Sequence, residues 1–209
     1  MSELTTTQRR KRREKENRRQ LILDTAERLM LATGQMDLNM DQVAHEAELA
    51  KGTLYLHFRS KEEILAILTI KVRRLLLQAF QQAVEVEKQP LRQLEALLWA
   101  CYYFFGKNKL YYNLLAFHES GNHSTDTPEL KESSLAITAL ILDILNRAKA
   151  EGSLASTANP MDLAFVIWGT VVGMTQLIDA KSAIMEADHE IEQTRLYSHF
   201  VSMMIKGVQ

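Results

Sequence analysis

From about residue 18 onward, apolar residues recur every three or four positions, the spacing of a helix with one buried face. Leu21, Ile22, Thr25, Leu29 and Ala32 predict a first helix, closed by Gly34 as its C-cap. Asn39, with Gln42 three positions on, gives a capping-box pattern for a short second helix carrying Met40, Val43, Ala44 and Ala47. A third short helix is predicted from about Lys51 to Phe58. Ser60-Lys61-Glu62-Glu63 is another capping box, and its helix runs through Ile64, Leu65, Leu68, Val72, Leu75 and Leu76 toward Val86. Pro90 precedes an apolar helix of Leu91, Leu94, Leu98, Cys101 and Phe105. Thr127-Pro128-Glu129 reads as N-cap, first position and acidic first turn of a helix that stops at Gly152. Asn159-Pro160-Met161-Asp162 repeats that signal before an apolar stretch over 163–178. A last helix, from about His189, carries Tyr197, Phe200, Val201, Met204, Ile205 and Val208. No strand alternation is visible, so the fold class expected is all-α, with about nine helices.

Composition agrees. Only 8 glycines and 3 prolines occur in 209 residues, too few turn formers for an all-β fold. The apolar fraction of 46% excludes a disordered chain. The lone Cys101 cannot form an internal disulfide or a cysteine-based zinc site, which fits a reducing, cytoplasmic setting. The 163–178 stretch is interrupted by Thr170, Thr175 and Gln176 and bounded by Asp162 and Asp179. It falls short of about 18 clean apolar residues, so no membrane span is expected. Basic residues near the start are followed by no apolar core, so no signal peptide is read there.

The net charge of -1 hides an asymmetry. Residues 1–20 hold Arg9, Arg10, Lys11, Arg12, Arg13, Lys15, Arg18 and Arg19 against Glu3, Glu14 and Glu16. A basic arm over 1–17 on an acidic body suggests a polyanion partner. Charge alone does not separate nucleic acid from anionic lipid, or either from a solvated tail.

The two short helices around 39–47 and 51–58 are joined by Glu48, Leu49 and Ala50. That is a helix-turn-helix arrangement, in which the second helix fits the DNA major groove. Two short helices can also simply pack. As a reading helix, the second presents Lys51, Gly52, Thr53, Tyr55 and His57: charge for phosphate, a close backbone approach, and hydroxyls that position the protein on the duplex. Asn39 marks a helix N-terminus suited to phosphate.

The string Val43-Ala44-His45-Glu46-Ala47-Glu48-Leu49-Ala50-Lys51-Gly52-Thr53-Leu54-Tyr55-Leu56-His57-Phe58-Arg59-Ser60-Lys61 closely resembles the TetR family of bacterial transcription regulators. Ile22-Leu23-Asp24-Thr25-Ala26-Glu27-Arg28-Leu29 is similar to that family's first helix. The resemblance covers about residues 18–65 and rests most on G-T-L-Y-x-H-F-x-S-K. It implies a three-helix DNA-binding domain over 18–65 and a larger helical ligand-binding and dimerisation domain over 66–209. Carried over by position, the phosphate contacts are Asn39, Lys51, Thr53, Tyr55, His57 and Lys61. The base-reading positions are Gln42, Lys51 and Gly52, with Leu56 as a further candidate, and Leu54 and Phe58 belong to the core. Two departures stand out. Glu48 occupies a turn position that is often glycine, at a cost of about 1 kcal/mol if the backbone is left-handed. Ala50 replaces a frequent serine cap, losing about 1 kcal/mol. The basic arm, on this reading, enters the adjacent minor groove or neutralises phosphates.

The resemblance also implies a homodimer on palindromic double-stranded DNA, released by a small-molecule effector through the 60–86 helix. It implies a repressor answering a small molecule more than an activator or a regulator that answers a protein. The residues support a dimer face independently: Phe165, Gly169, Val172, Gly173 and Gln176 share one side of their helix, with two glycines four apart. Tyr197, Phe200, Val201 and Met204 extend that face to the last helix. For the effector, aromatic residues with polar handles suit an apolar cavity. The candidates are Trp99, Tyr102, Tyr103, Tyr112, Phe117, His118 and Trp168. Plain core packing is the alternative for each. His118, Glu119 and His123 have irregular spacing for a metal site, so no metal and no cofactor are expected. No nucleophile–base pair or phosphate loop is visible, so the chain is read as no enzyme. The rival to a regulator is a helical scaffold or ligand-binding protein whose N-terminal helices only pack.

Overall fold

A computed structural model of the chain describes residues 5–119, 127–155, 157–187 and 192–209. Nine helices and no strand occur among the described residues. They are α1 (Thr6–Thr33), α2 (Met40–Glu46), α3 (Lys51–His57), α4 (Lys61–Glu85), α5 (Pro90–Lys107), α6 (Lys109–Glu119), α7 (Pro128–Ala150), α8 (Pro160–Ala187) and α9 (Gln193–Val208).

The helix punctuation follows the sequence closely. Gly34 closes α1 in the left-handed region at φ 66°, its N–H donating to the Met30 carbonyl. Thr127 Oγ1 accepts from the Leu130 N–H, and Pro128 takes the first helical position of α7. Asn159 Oδ1 accepts from the Met161 N–H at 2.9 Å at the start of α8. The α4 start is a variant: Glu63 reaches back to the N–H of Arg59, not Ser60, at 2.9 Å. The predicted start of the last helix, at His189, lies outside the described residues.

Two elements are longer than the periodicity suggested. α1 begins at Thr6, not near residue 18, so positions 6–17 of the basic arm are helical. Thr5 and Gln8 form a reciprocal capping box, and Arg10–Glu14 and Arg12–Glu16 pair one turn apart, each adding a few tenths of a kcal/mol, roughly 0.2–0.5. α8 extends to Ala187. By length and composition, Pro160–Met185 could cross a membrane, unlike the shorter stretch read from the sequence, and only 17% of its most apolar window is buried in this chain.

The chain divides into two compact units. The first holds the described residues of Met1–Thr69 and Asn113–Asp126; the second holds Ile70–Tyr112 and those of Thr127–Gln209. In the first, α1 packs on α2 and α2 on α3. Its core includes Ile22, Ala26, Met30, Val43, Ala44, Leu54, Phe58, Ile64 and Leu65. In the second, α5 packs against α7, α8 and α9, and α8 against α7 and α9. Leu94, Leu98, Ile141, Ile144, Ile167 and Tyr197 are buried there. α4 and α6 each contribute residues to both units.

Candidate nucleic-acid interface

Asn39 stands in extended conformation before α2, and its Oδ1 accepts from the N–H groups of Asp41 (2.9 Å) and Gln42 (3.3 Å). Its side chain is therefore engaged by its own helix. The exposed edge of that helix start carries Gln42. The chain then reverses over 47–50. Glu48 has φ 54°, the left-handed conformation that its turn position demands. Ala50 begins α3 with no side-chain cap.

α3 has two faces. Leu54 and Phe58 are fully buried and fix the helix to the core, each contributing roughly 1.5–3 kcal/mol by burial. Lys51, Gly52, Tyr55 and Leu56 face outward, and Leu56 is 81% exposed. An aliphatic side chain so exposed on a short helix is suited to a thymine methyl group in the major groove. Among the described residues, no atom beyond the helix's own neighbouring backbone lies within 4 Å of a Cβ built at Gly52, so none of them requires glycine there. Thr53 and His57 are half-buried at the edges of this face.

The charges around α3 are partly engaged. Lys51 Nζ lies 2.7 Å from an Asp41 carboxylate oxygen, whose hydrogen bond and charge raise the lysine pKa. Lys61 pairs with Asp37 at 3.1 Å. Both pairs are exposed, so a phosphate can compete for either lysine. His57 is held below its ordinary pKa, first by burial and then by the positive charges of Lys15, Arg18 and Arg19. Its Nδ1 is buried without a hydrogen-bond partner among the described residues.

The residue the sequence reading missed here is Arg19. It had been counted only among the basic residues of 1–20, yet Nη1 donates to the His57 carbonyl at 2.7 Å and Nη2 meets Glu63 at 3.3 Å. Its guanidinium carbon lies 4.3 Å from the Phe58 ring centroid. One side chain thus closes the C-terminus of α3 and ties it to α1 and α4. Sequence spacing held no sign of this, because the partners lie 38 and 44 residues away.

The candidates for an effector site are divided. Tyr102, Tyr103 and Tyr112 line a cavity of about 390 Å³ in the second unit, with Phe105, Lys109, Asp179 and Tyr197. The size falls in the range of small-molecule pockets, about 300–1,000 Å³. Lys109 and Asp179 form an ion pair at its wall. Trp99 packs edge-on to Tyr102 and near Tyr197. Neither Trp99 nor Trp168 lines the cavity. Phe117 and His118 belong to the part of α6 grouped with the first unit. There Thr69 donates to the Leu65 carbonyl, so its oxygen accepts from His118 Nδ1–H at 2.9 Å. His123 lies outside the described residues.

The candidate dimer residues divide likewise. Tyr197 and Val201 are core residues of their own chain, and the Tyr197 hydroxyl donates to the Leu98 carbonyl at 2.8 Å. Phe165, Gly169 and Gly173 are exposed; Val172, Phe200 and Met204 are half-buried. The periodicity of α9 marked a buried face but not which neighbour covers it.

A helix-turn-helix with an exposed outward face, packed on α1, is an arrangement suited to the DNA major groove. The family described as bacterial regulatory proteins, tetR family, matches residues 22–68. That match covers the helix-turn-helix segment, and over it the chain is similar to the TetR family. An uncharacterized helix-turn-helix transcriptional regulator of Haemophilus influenzae is 28% identical over 99 residues, 47% of this chain and 53% of that protein. The chain thus spans about half the length of that relative. The transcriptional regulator UidR of Escherichia coli is 21% identical over 166 residues, 79% of this chain and 84% of that one. The structure of the regulator FadR from Bacillus subtilis, in complex with stearoyl-CoA, is similar in fold, with a TM-score of 0.70 and 14% identity, covering 91% of this chain and 99% of that one.

Proposed function

We propose that this regulator is a cytoplasmic repressor that binds a palindromic operator as a homodimer and leaves it when a small, largely apolar effector binds. The observation that carries the reading is the outward face of α3. Lys51, Gly52, Tyr55 and Leu56 stand exposed while Leu54 and Phe58 anchor the helix. Gln42, Lys51, Gly52 and Leu56 read bases. Asn39, Lys51, Thr53, Tyr55, His57 and Lys61 meet phosphates; Asn39 does so through the α2 N-terminus that it caps.

The dimer reading draws on α8. Phe165 (71% exposed), Val166, Leu177 and Ile184 of α8 are exposed apolar side chains, as is Met203 of α9. Among the described residues, no atom beyond the helix's own neighbouring backbone lies within 4 Å of a Cβ built at Gly169 or Gly173. Mid-helix glycine costs about 1 kcal/mol relative to alanine, so close approach of a second copy gives these positions a purpose. Two copies related by a two-fold axis present two α3 helices to half-sites about one helical turn apart. The effector occupies the cavity at Tyr102, Tyr103 and Tyr112, and the stearoyl-CoA in the similar structure of FadR supports a small-molecule effector in such a fold. Ligand binding shifts the population toward a dimer whose reading helices no longer fit the groove.

The test is selection: purified protein retains fragments from random-sequence duplex DNA at physiological salt, about 0.15 M, and the retained DNA is sequenced. An enriched inverted repeat is expected. Retention without enrichment refutes base reading by α3, and no retention by folded protein refutes the regulator reading altogether. Sedimentation of the wild type against Phe165→Glu tests the dimer face.

A further inference from the structure

The basic arm was expected to enter a minor groove or to neutralise phosphates. As the first turns of α1 it is a helix, about 10–12 Å across with its side chains, and the minor groove is only about 6 Å wide. Groove entry is therefore closed to it while it stays helical.

Its charges are arranged, however. Lys11, Lys15 and Arg18 are spaced four and three apart, so they lie on one stripe of the helix. The stripe continues into Ile22, Ala26 and Met30, the buried face of α1. The face that packs on the core becomes cationic where the helix runs past the edge of the unit. Both acids of this segment are turned elsewhere: Glu14 is engaged by Arg10 and Glu16 by Arg12. Lys11, Lys15 and Arg18 make no ion pair among the described residues. Lys15 and Arg18 also lie near enough to the end of α3 to lower the pKa of His57 there. The next residue, Arg19, is bonded to that end. The cationic stripe thus starts beside the C-terminal end of α3 and runs along α1 for about 10 Å, from Arg18 to Lys11.

We propose that the stripe of Lys11, Lys15 and Arg18 is a sequence-independent clamp on the phosphate backbone of the duplex flanking the site that α3 reads. This rests on the DNA-binding reading above and extends it beyond the helix-turn-helix. Each phosphate neutralised releases counterions and steepens the salt dependence by about 0.9 in the slope of log affinity against log salt.

The test compares two matched variants of the full chain. Lys11→Gln with Lys15→Gln removes two charges from the stripe. Arg9→Gln with Arg13→Gln removes two charges, also four apart, from another side of the same helix. Glutamine keeps helix propensity close to that of lysine and arginine, and circular dichroism checks that the helix remains. The probes are a long mixed-sequence duplex and the same protein's selected site with and without flanking duplex. The stripe variant is expected to lower the slope by about 1.8 per protomer, and the control by less than half of that. On the site trimmed of its flanks, the stripe variant should match the wild type. Equal loss from both variants, or no loss from either, overturns the proposal. Binding to phosphatidylserine vesicles with none to duplex also overturns it, in favour of a lipid surface. If the wild type binds mixed-sequence duplex through the stripe yet enriches no site, the clamp stands and base reading by α3 fails.

Discussion

Replacing Arg19 by lysine separates charge from geometry at the end of the reading helix. The guanidinium donates to the His57 carbonyl at 2.7 Å, meets Glu63 at 3.3 Å and lies 4.3 Å from the Phe58 ring centroid. A single ammonium cannot hold both oxygens and also stack on the ring. The charge-assisted bond to the carbonyl contributes roughly 1.5–3 kcal/mol and the ring contact about 0.5–1 kcal/mol. The pair with Glu63 is about a third exposed on each side, and solvent screening holds it to about 0.5 kcal/mol or less. Lysine recovers part of the first and little of the others, which leaves an expected loss of about 2 kcal/mol. Urea unfolding followed by helical circular dichroism measures it, because both tryptophans, Trp99 and Trp168, lie in the second unit. Duplex affinity should fall as well, with the salt slope unchanged, since lysine keeps the charge. A loss below about 0.5 kcal/mol, the level of an ordinary surface substitution, would refute the assignment of Arg19 as the clamp on α3.

Four further outcomes are expected. Glu48→Gly relieves the left-handed strain at φ 54° and should stabilise the chain by roughly 0.5 kcal/mol after the entropy of the unfolded glycine is offset; Glu48→Gln, which keeps the strain, should not, as paired urea titrations will tell. Asp41→Asn frees Lys51 from its intrachain partner, so affinity for duplex of any sequence should rise in a fluorescence anisotropy titration. His57 binds its proton less readily folded than unfolded, where its pKa is near 6.5; stability is therefore intact above that pH and falls as the pH drops below it, and His57→Gln should remove that part of the fall in urea midpoints. Cys101 is fully buried, and burial pushes its thiol far above the ordinary range, so a thiol reagent should leave the native protein unmodified and react once denaturant is added.

Local physics made much of the fold readable from the sequence. Proline at the first position of α5, α7 and α8 and left-handed glycine after α1 and α7 act within one turn of chain. The resemblance to the TetR motif likewise placed Leu54 and Phe58 in the core and left Leu56 as a base-reading candidate, and the first two are buried and the third exposed. The helical start at Thr6 was also local: Thr5 and Gln8 form a capping box, a signal masked by the density of charge that follows.

Where the deciding partner lies far along the chain, spacing had nothing to act on. The reading face was legible as a face, but Asp41, which engages Lys51, is ten residues from it, and Arg19 closes a helix 38 residues on. In α9 the period predicted an apolar side holding Tyr197, Phe200 and Val201; packing against α5 turned Tyr197 and Val201 into core. Of seven residues proposed around an effector, only the tyrosines at 102, 103 and 112 line the cavity. An apolar stripe records that a helix must be covered, through the free energy of removing its surface from water. Which helix covers it, and which side chains are left facing a cavity, follows from the tertiary arrangement alone, because that free energy is non-directional and is satisfied by any neighbour that fits.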